Sequence, residues 1–156
     1  MADPVIKSEA LDTPTALQLI AALNAELDRR YPEEGAKHFR LDASEVAPDR
    51  GVFLVAYADG EAVGCGAVRM NEPGVAEVKR MYVRPEWRGR RVASRILAAL
   101  EQHAMRLGAH QIVLETGERQ SEALSLYRRA GYVEIPRFGE YLDSPLSLCL
   151  GKNVGG

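Results

Sequence analysis

The sequence has very little cysteine. Among its 156 residues only Cys65 and Cys149 are cysteines, and each lies inside an apolar stretch. No Cys-x-x-Cys spacing or neighbouring histidine pair accompanies them, which argues against a zinc site and leads us to expect no metal. Isolated thiols in apolar surroundings are typical of small buried side chains in a reducing compartment. We therefore expect a cytoplasmic protein.

Long apolar runs are also missing. No segment approaches the roughly 20 apolar residues that a membrane span needs, and the N-terminal MADPVIKSEA is too acidic and polar for a signal peptide. The hydrophobic fraction of 46% and the charged fraction of 27% are average for globular proteins. We expect no membrane association, one folded domain over residues 1–150 and a flexible tail over 151–156.

The sequence also lacks a large net charge, because its formal charge is only −2. That value speaks against a protein that coats nucleic acid. The charge is nevertheless unevenly distributed: residues 1–61 carry a net −6, whereas residues 79–95 hold seven bases and one acid. The basic cluster has no interleaved aromatic platform for bases, so it favours a local anion site over nucleic-acid binding.

The apolar pattern predicts a mixed α/β domain. Thr13 and Pro14 are typical of a helix start, and the aspartate-glycine pair at 59–60 is typical of a two-residue hairpin turn. Residues 31–50 are polar and irregular. The predicted helices are 14–30, 92–107 and 122–130, and the predicted strands are 5–10, 51–58, 62–70, 76–83, 111–115, 132–135 and 146–150.

The segment Arg84–Ser94 connects a predicted strand to a long predicted helix. Such a junction directs free backbone N–H groups and the positive end of the helix dipole toward one point. Arg88, Arg90 and Arg91 add positive charge there, although the segment is neither a Walker loop nor a dinucleotide fingerprint. The arrangement favours a phosphate or pyrophosphate site, and a solvated basic helix start is the alternative.

Two motifs resemble the GNAT superfamily of acyl-CoA-dependent N-acyltransferases. The first is Arg88-Gly89-Arg90-Arg91-Val92-Ala93, which resembles the family's Arg/Gln-x-x-Gly-x-Gly/Ala loop with Arg91 in place of the usual glycine. The second is residues 120–132, which resemble Asn-x-x-Ala-x-x-Leu-Tyr-x-x-x-Gly-Phe/Tyr with Gln120 in place of asparagine. The resemblance covers about residues 52–135 and implies a mostly antiparallel central sheet with a splayed parallel strand pair, flanked by helices.

The resemblance implies that acetyl-CoA is the cosubstrate. Backbone groups of Met81, Tyr82 and Val83 would pair with the pantetheine arm. Gln120 would contact the same arm or support the second motif's helix. The pyrophosphate would be held by the loop and helix start, namely Arg88, Gly89, Arg90, Arg91, Val92, Ala93 and Ser94.

Two residues match catalytic positions of the family. An alkyl ammonium of pKa about 10.4 costs about 4.6 kcal/mol to deprotonate at pH 7, so a base is expected. Glu77 matches the family's base, with a strand-edge carboxylate paired with Lys79 as the alternative. Tyr127 matches the tyrosine that serves as general acid toward the leaving thiolate, and it is also compatible with a core position.

The acceptor pocket is the least defined part of the expected site. The resemblance places it near Tyr31, Glu34 and His38, with Tyr141 close to it. We expect direct acetyl transfer to a primary amine of a small molecule. Acetylation of protein lysines or N-termini and a non-catalytic acyl-CoA-binding regulator are the alternatives. Family members often form homodimers, so dimerisation is a further expectation.

Overall fold

The regular elements of the protein follow the predicted order. The computed structural model describes residues 3–32 and 43–155. The helices are α1 (Pro14–Arg30), α2 (Val92–Arg106) and α3 (Ser121–Arg129). The strands are β1 (Val5–Ser8), β2 (Gly51–Ala58), β3 (Glu61–Glu72), β4 (Val75–Val83), β5 (Gln111–Gly117), β6 (Val133–Ile135) and β7 (Ser147–Asn153).

Local sequence signals account for several of these boundaries. Helix α1 begins where the Thr13 hydroxyl accepts a hydrogen bond from the Ala16 N–H at 3.1 Å, with Pro14 in the first turn. The turn between β2 and β3 places Asp59 at φ 51° and Gly60 at φ 81°, the left-handed pair that a tight hairpin requires. None of the helices in the described ranges is long and apolar enough to cross a membrane.

The seven strands form one sheet in the order β1-β2-β3-β4-β5-β7-β6. Among these described strands β4 and β5 run parallel, and the other neighbours are antiparallel. The parallel ladder is short: Val75–Val78 pair with Gln111–Leu114, and beyond that point the two strands separate. The predicted antiparallel sheet with a splayed parallel pair is confirmed.

The two faces of the sheet carry different side chains. On one face α2 and α3 pack on a core that contains Val78, Ile96 and Leu114. On the other face α1 covers Phe53, Cys65 and Tyr82. Since ladder partners share a face, the register places a third set of residues on the α1 face, namely Arg69, Glu77, Lys79, Glu115 and Ser147. The polar groups therefore lie opposite the larger core.

The chain end departs from the predicted flexible tail. Strand β7 continues through Asn153, and its last residues pair with Gln111–Val113 of β5. The Lys152 ammonium also lies 3.2 Å from the Glu101 carboxylate, and the Val154 N–H donates to the His110 carbonyl at 2.8 Å. The prediction of a tail from 151 onward is thus wrong for residues 151–154, because their partners lie some 40 residues away in the chain.

Candidate active site

The fork between β4 and β5 opens into a cleft of about 1280 Å³. It begins directly beyond the last ladder pair, Val78 with Leu114. Most of the predicted cosubstrate-binding residues lie in its wall, namely Met81, Tyr82, Val83, Arg88, Gly89, Arg91, Val92, Ala93, Ser94 and Gln120. The two sequence motifs are far apart along the chain, but the fold brings both to the wall of one cavity.

A β-bulge in β4 gives the cleft its backbone wall. Gly66 of β3 stands opposite both Arg80 and Met81, and Arg80 has a left-handed φ of 59°. The Arg80 guanidinium donates to the Asn24 side chain of α1 at 2.9 Å, and the Cys65 thiol donates to the Arg80 carbonyl at 3.4 Å. A bulge interrupts the ladder and turns backbone groups away from the neighbouring strand. This geometry makes the backbone at 81–83 suitable for pairing with an extended ligand.

The turn before α2 contains two left-handed residues, Gly89 at φ 79° and Arg91 at φ 64°. Arg91 is the N-cap of α2, and its own side chain makes no capping hydrogen bond. The first N–H groups of a helix have no partner within it, so those of Val92, Ala93 and Ser94 are available to an anion in the cleft. Glycine adopts a left-handed φ without strain, whereas a non-glycine residue such as Arg91 costs roughly 1–2 kcal/mol there.

The arginines of this turn point in different directions. Arg88 donates to the Val83 carbonyl at 3.0 Å and lies 2.6 Å from the Glu26 carboxylate of α1. Arg90 is not part of the cleft wall; its guanidinium lies 4.8 Å from the centre of the Trp87 ring. Arg91 is exposed and borders the cleft. Arg88 and Arg91 thus both border the cleft, but the Arg88 guanidinium is already engaged by Val83 and Glu26.

Tyr127 lies on α3 with 5% of its surface exposed and borders the cleft. Its ring packs edge-on against Tyr132, with 5.9 Å between the centroids. Within the described ranges its hydroxyl has no hydrogen-bond partner in the protein. Burial, together with the nearby Glu115 charge, raises the pKa of Tyr127. The phenol therefore stays protonated near neutral pH and remains available as a donor.

Glu77 lies on β4 and is 1% exposed, so it is not an exposed strand-edge carboxylate. One carboxylate oxygen accepts from Arg69 and Asn71, both at 3.1 Å, and the other accepts from the Tyr141 hydroxyl at 2.6 Å. Lys79 lies 3.3 Å from Glu140. Since Tyr141 borders the main cleft and Glu77 does not, Glu77 reaches the cleft through the Tyr141 hydroxyl.

Tyr31, at the C-terminal end of α1, forms part of the cleft wall. Its hydroxyl accepts a hydrogen bond from the Arg119 N–H at 2.8 Å, and the Arg119 guanidinium lies 5.1 Å from its ring centre. Tyr31 borders the cleft, and its contact with the acceptor stays a prediction. The other two residues predicted there, Glu34 and His38, lie outside the described residues.

Gly117 provides the space that Tyr31 occupies. A Cβ atom at this position would stand 1.9 Å from the Tyr31 hydroxyl oxygen. Gly117→Ala should therefore lower the free energy of unfolding by about 1–3 kcal/mol, the usual range for overpacking, as measured by urea denaturation. In a Tyr31→Leu background, which removes the clashing hydroxyl, the same change should cost much less. An equal loss in both backgrounds would contradict this explanation.

Glu115 is a further carboxylate in the wall of the cleft, and neither of the two sequence motifs includes it. Glu115 lies on β5 immediately after the last ladder pair, and its carboxylate accepts a hydrogen bond from the Ser147 hydroxyl at 2.5 Å. In the sequence it ends an ordinary apolar strand. Its position becomes meaningful only when the strand register is known.

The comparison with known proteins agrees with this geometry. The model of the acetyltransferase (GNAT) family matches residues 17–132, about three quarters of the chain. The chain belongs to the GNAT family. This GNAT protein is accordingly an acyltransferase of a family that uses acetyl-CoA, and the predicted resemblance is confirmed.

Individual relatives support the assignment along most of the GNAT chain. An IAA acetyltransferase of Azospirillum brasilense is 38% identical over 153 residues, which are 97% of this chain and 99% of the relative. An aminoalkylphosphonate N-acetyltransferase of Salmonella typhimurium is 29% identical over 78% of this chain and 79% of its own. A crystal structure of a candidate acyl-CoA N-acyltransferase from Klebsiella pneumoniae superposes with a TM-score of 0.85 at 35% identity, covering 97% of this chain and 98% of that one.

Proposed function

We propose that this chain transfers an acetyl group from acetyl-CoA to the primary amine of a small molecule, by direct attack of the amine on the thioester. The observation that carries the proposal is the fork between β4 and β5, with an anion-binding turn at one end and tyrosines and carboxylates at the other. Both ends border one cavity, so two substrates bound there would meet without a covalent enzyme intermediate.

The chemistry of the donor groups suits coenzyme A. The N-terminus of α2 and the left-handed turn at Gly89 and Arg91 offer N–H donors and positive charge for the pyrophosphate. The bulged strand at 81–83 offers backbone groups for the amides of the pantetheine arm. When bound, acetyl-CoA supplies the activated acetyl group, and the residues of this chain hold and orient it.

The other end of the cleft suits an amine. In our proposal the Tyr141 hydroxyl accepts a hydrogen bond from the amine while it donates its own proton to Glu77. Glu77 thereby acts on the amine through Tyr141. Tyr127 gives its proton to the departing sulfur as general acid. Tyr31 forms part of the wall that surrounds the acceptor.

A small-molecule acceptor is favoured by the relatives. Their names specify low-molecular-weight substrates, IAA and an aminoalkylphosphonate. A thiol-release assay with acetyl-CoA against a panel of amino acids, polyamines, aminoalkylphosphonates and lysine peptides tests the proposal. Turnover with a free amine supports it. Turnover restricted to the peptides would favour protein acetylation, and saturable binding without turnover on any amine would favour a non-catalytic regulator.

Coenzyme A should stabilise the protein by binding the folded state. At a ligand concentration of 100 times Kd the gain is about 2.7 kcal/mol, which corresponds to a rise in Tm of roughly 5–10 °C for a domain of this size. Ser94→Asp, which places a carboxylate at the anion-binding helix start, should abolish the shift. Ala98→Asp makes a similar change at an exposed position of the same helix and should retain it. No shift with the wild-type protein would overturn coenzyme A binding.

A further inference from the structure

Glu115 occupies a special position in the sheet. The parallel ladder ends with Val78 opposite Leu114, so Glu115 is the first residue of β5 that lies in the fork. Its ladder partner on the other side is Cys149 of β7, which holds the backbone of Glu115 in place. The backbone of Glu115 is therefore held by β7 on one side. On the side toward β4 it has no ladder partner, and there the residue borders the cavity.

A short hydrogen-bond chain holds the carboxylate. The Ser147 hydroxyl donates to one Glu115 oxygen at 2.5 Å, and the hydroxyl oxygens of Ser144 and Ser147 lie 2.7 Å apart. All three residues border the cleft. Within the described ranges Ser147 is the hydrogen-bond donor to Glu115, whereas Glu77 has three donors on its two oxygens. Glu115 thus retains capacity for a ligand.

Glu115 and Tyr127 approach the fork from opposite sides. Glu115 projects from the α1 face of the sheet, and Tyr127 belongs to α3 on the other face. Both border the same cavity at the opening between the strands. A thioester placed in the fork would therefore have a carboxylate on one side and a phenol on the other.

We propose that Glu115 is the group that removes the proton from the acceptor ammonium, and this inference rests on the proposed acetyl transfer. Glu115 takes one proton from the ammonium, and the freed nitrogen lone pair forms the N–C bond to the thioester carbon. The C–S bond breaks, and Tyr127 gives its proton to the sulfur. The surplus proton on the new amide nitrogen returns to Tyr127, and Glu115 releases its proton to solvent. In this scheme Glu77 is a positioning residue that orients Tyr141.

The surroundings of Glu115 suit a base. Burial raises the pKa of Glu115 and the nearby Glu77 and Glu140 charges add to this effect, while the Ser147 hydrogen bond and Lys79 oppose it. A base works better as its pKa approaches the operating pH. Further ionisable groups whose pKa values Glu115 raises are Tyr31, Tyr127, Tyr141 and Cys149. Because the carboxyl must be ionised to act, kcat/KM should fall as the pH drops through its raised pKa.

The test compares Glu115→Gln with the wild-type enzyme, using the amine that the wild type acetylates best. We expect kcat to fall by 10²-fold or more, the usual contribution of a positioned base, with the KM for acetyl-CoA unchanged. In this variant the fall of kcat/KM at low pH should also be absent. With an acceptor whose amine is already uncharged at pH 7, the deficit should shrink to a few-fold, which a merely structural defect would not produce.

Two comparisons keep the outcome interpretable. Retention of the coenzyme A-induced Tm shift by Glu115→Gln shows that the variant is folded, and Glu115→Asp provides a second, charge-retaining variant with partial activity expected. Glu77→Gln should still show the fall of kcat/KM at low pH. Its loss of kcat relative to the wild type should be similar for charged and uncharged amines. Wild-type kcat in Glu115→Gln, or a deficit independent of amine charge, would overturn the inference alone. Absence of turnover by the wild-type enzyme would overturn the proposed function and the inference together.

Discussion

Replacing Tyr127 with phenylalanine should lower kcat by 10²-fold or more and leave the KM for acetyl-CoA nearly unchanged. The phenol borders the cleft, is 5% exposed and keeps its proton near neutral pH because burial raises its pKa. Phenylalanine fills the same space, so the variant loses the proton donor without a cavity. Steady-state kinetics with acetyl-CoA and the preferred amine measure the effect, which lies within the usual range for a general acid.

Tyr132→Phe is the matched control for this experiment. Tyr132 packs against Tyr127, but its hydroxyl donates to Glu101 at 2.8 Å, and it does not border the cleft. This variant should lose about 1.5–3 kcal/mol of stability, the usual range for a hydrogen bond to a charged group, with kcat unchanged. If Tyr127→Phe retains wild-type kcat, Tyr127 has no part in the mechanism.

Arg69→Met should lower the free energy of unfolding by about 3–5 kcal/mol, the usual range when one partner of a buried ion pair is removed. Arg69 lies 3.1 Å from the Glu77 carboxylate and also pairs with Glu45 and Glu140. Glu77 is buried, so without the guanidinium its charge is supported by the neutral donors Asn71 and Tyr141. Urea denaturation followed by circular dichroism measures the loss.

Two further variants isolate the role of the pair. Arg69→Met combined with Glu77→Gln should regain most of the lost stability, because replacing both charges of a buried pair is often nearly neutral. Arg30→Met removes a guanidinium that holds the exposed Glu122 through two contacts of 3.1 Å, and it should cost less than about 1 kcal/mol. A loss of similar size in Arg30→Met and Arg69→Met would show that the buried position of Glu77 is unimportant.

The sequence was sufficient for the elements that local signals define. Thr13 and Pro14 at the start of α1 and the Asp59-Gly60 turn act through neighbouring atoms, so their effects are visible in the chain itself. The end of β7, by contrast, has no local signal from which it could be predicted. Gly151 and its successors resemble a loose terminus, but their partners are Gln111–Val113 and Val133, and such long-range pairing leaves no local pattern.

The same distinction applies to the candidate site. The turn that we propose binds the pyrophosphate could be located from the sequence, because strand, turn and helix start are consecutive in the chain. The network around Glu77 could not, since Tyr141 is 64 residues away and Arg69 lies on a neighbouring strand. Glu115 was equally hidden, because its access to the cleft depends on the exact pair at which β4 and β5 separate.

The shortness of the parallel ladder has a mechanical consequence. Four residue pairs join β1–β4 to β5–β7, so the sheet consists of two halves whose mutual angle is set at this narrow seam. Ala76 and Ile112 form a fully buried pair within this seam. A change of side-chain volume in the seam would change the distance across the fork. A misplacement of about 1 Å at a reaction centre can cost 10²-fold in rate. The seam therefore sets the width of the cleft between β4 and β5.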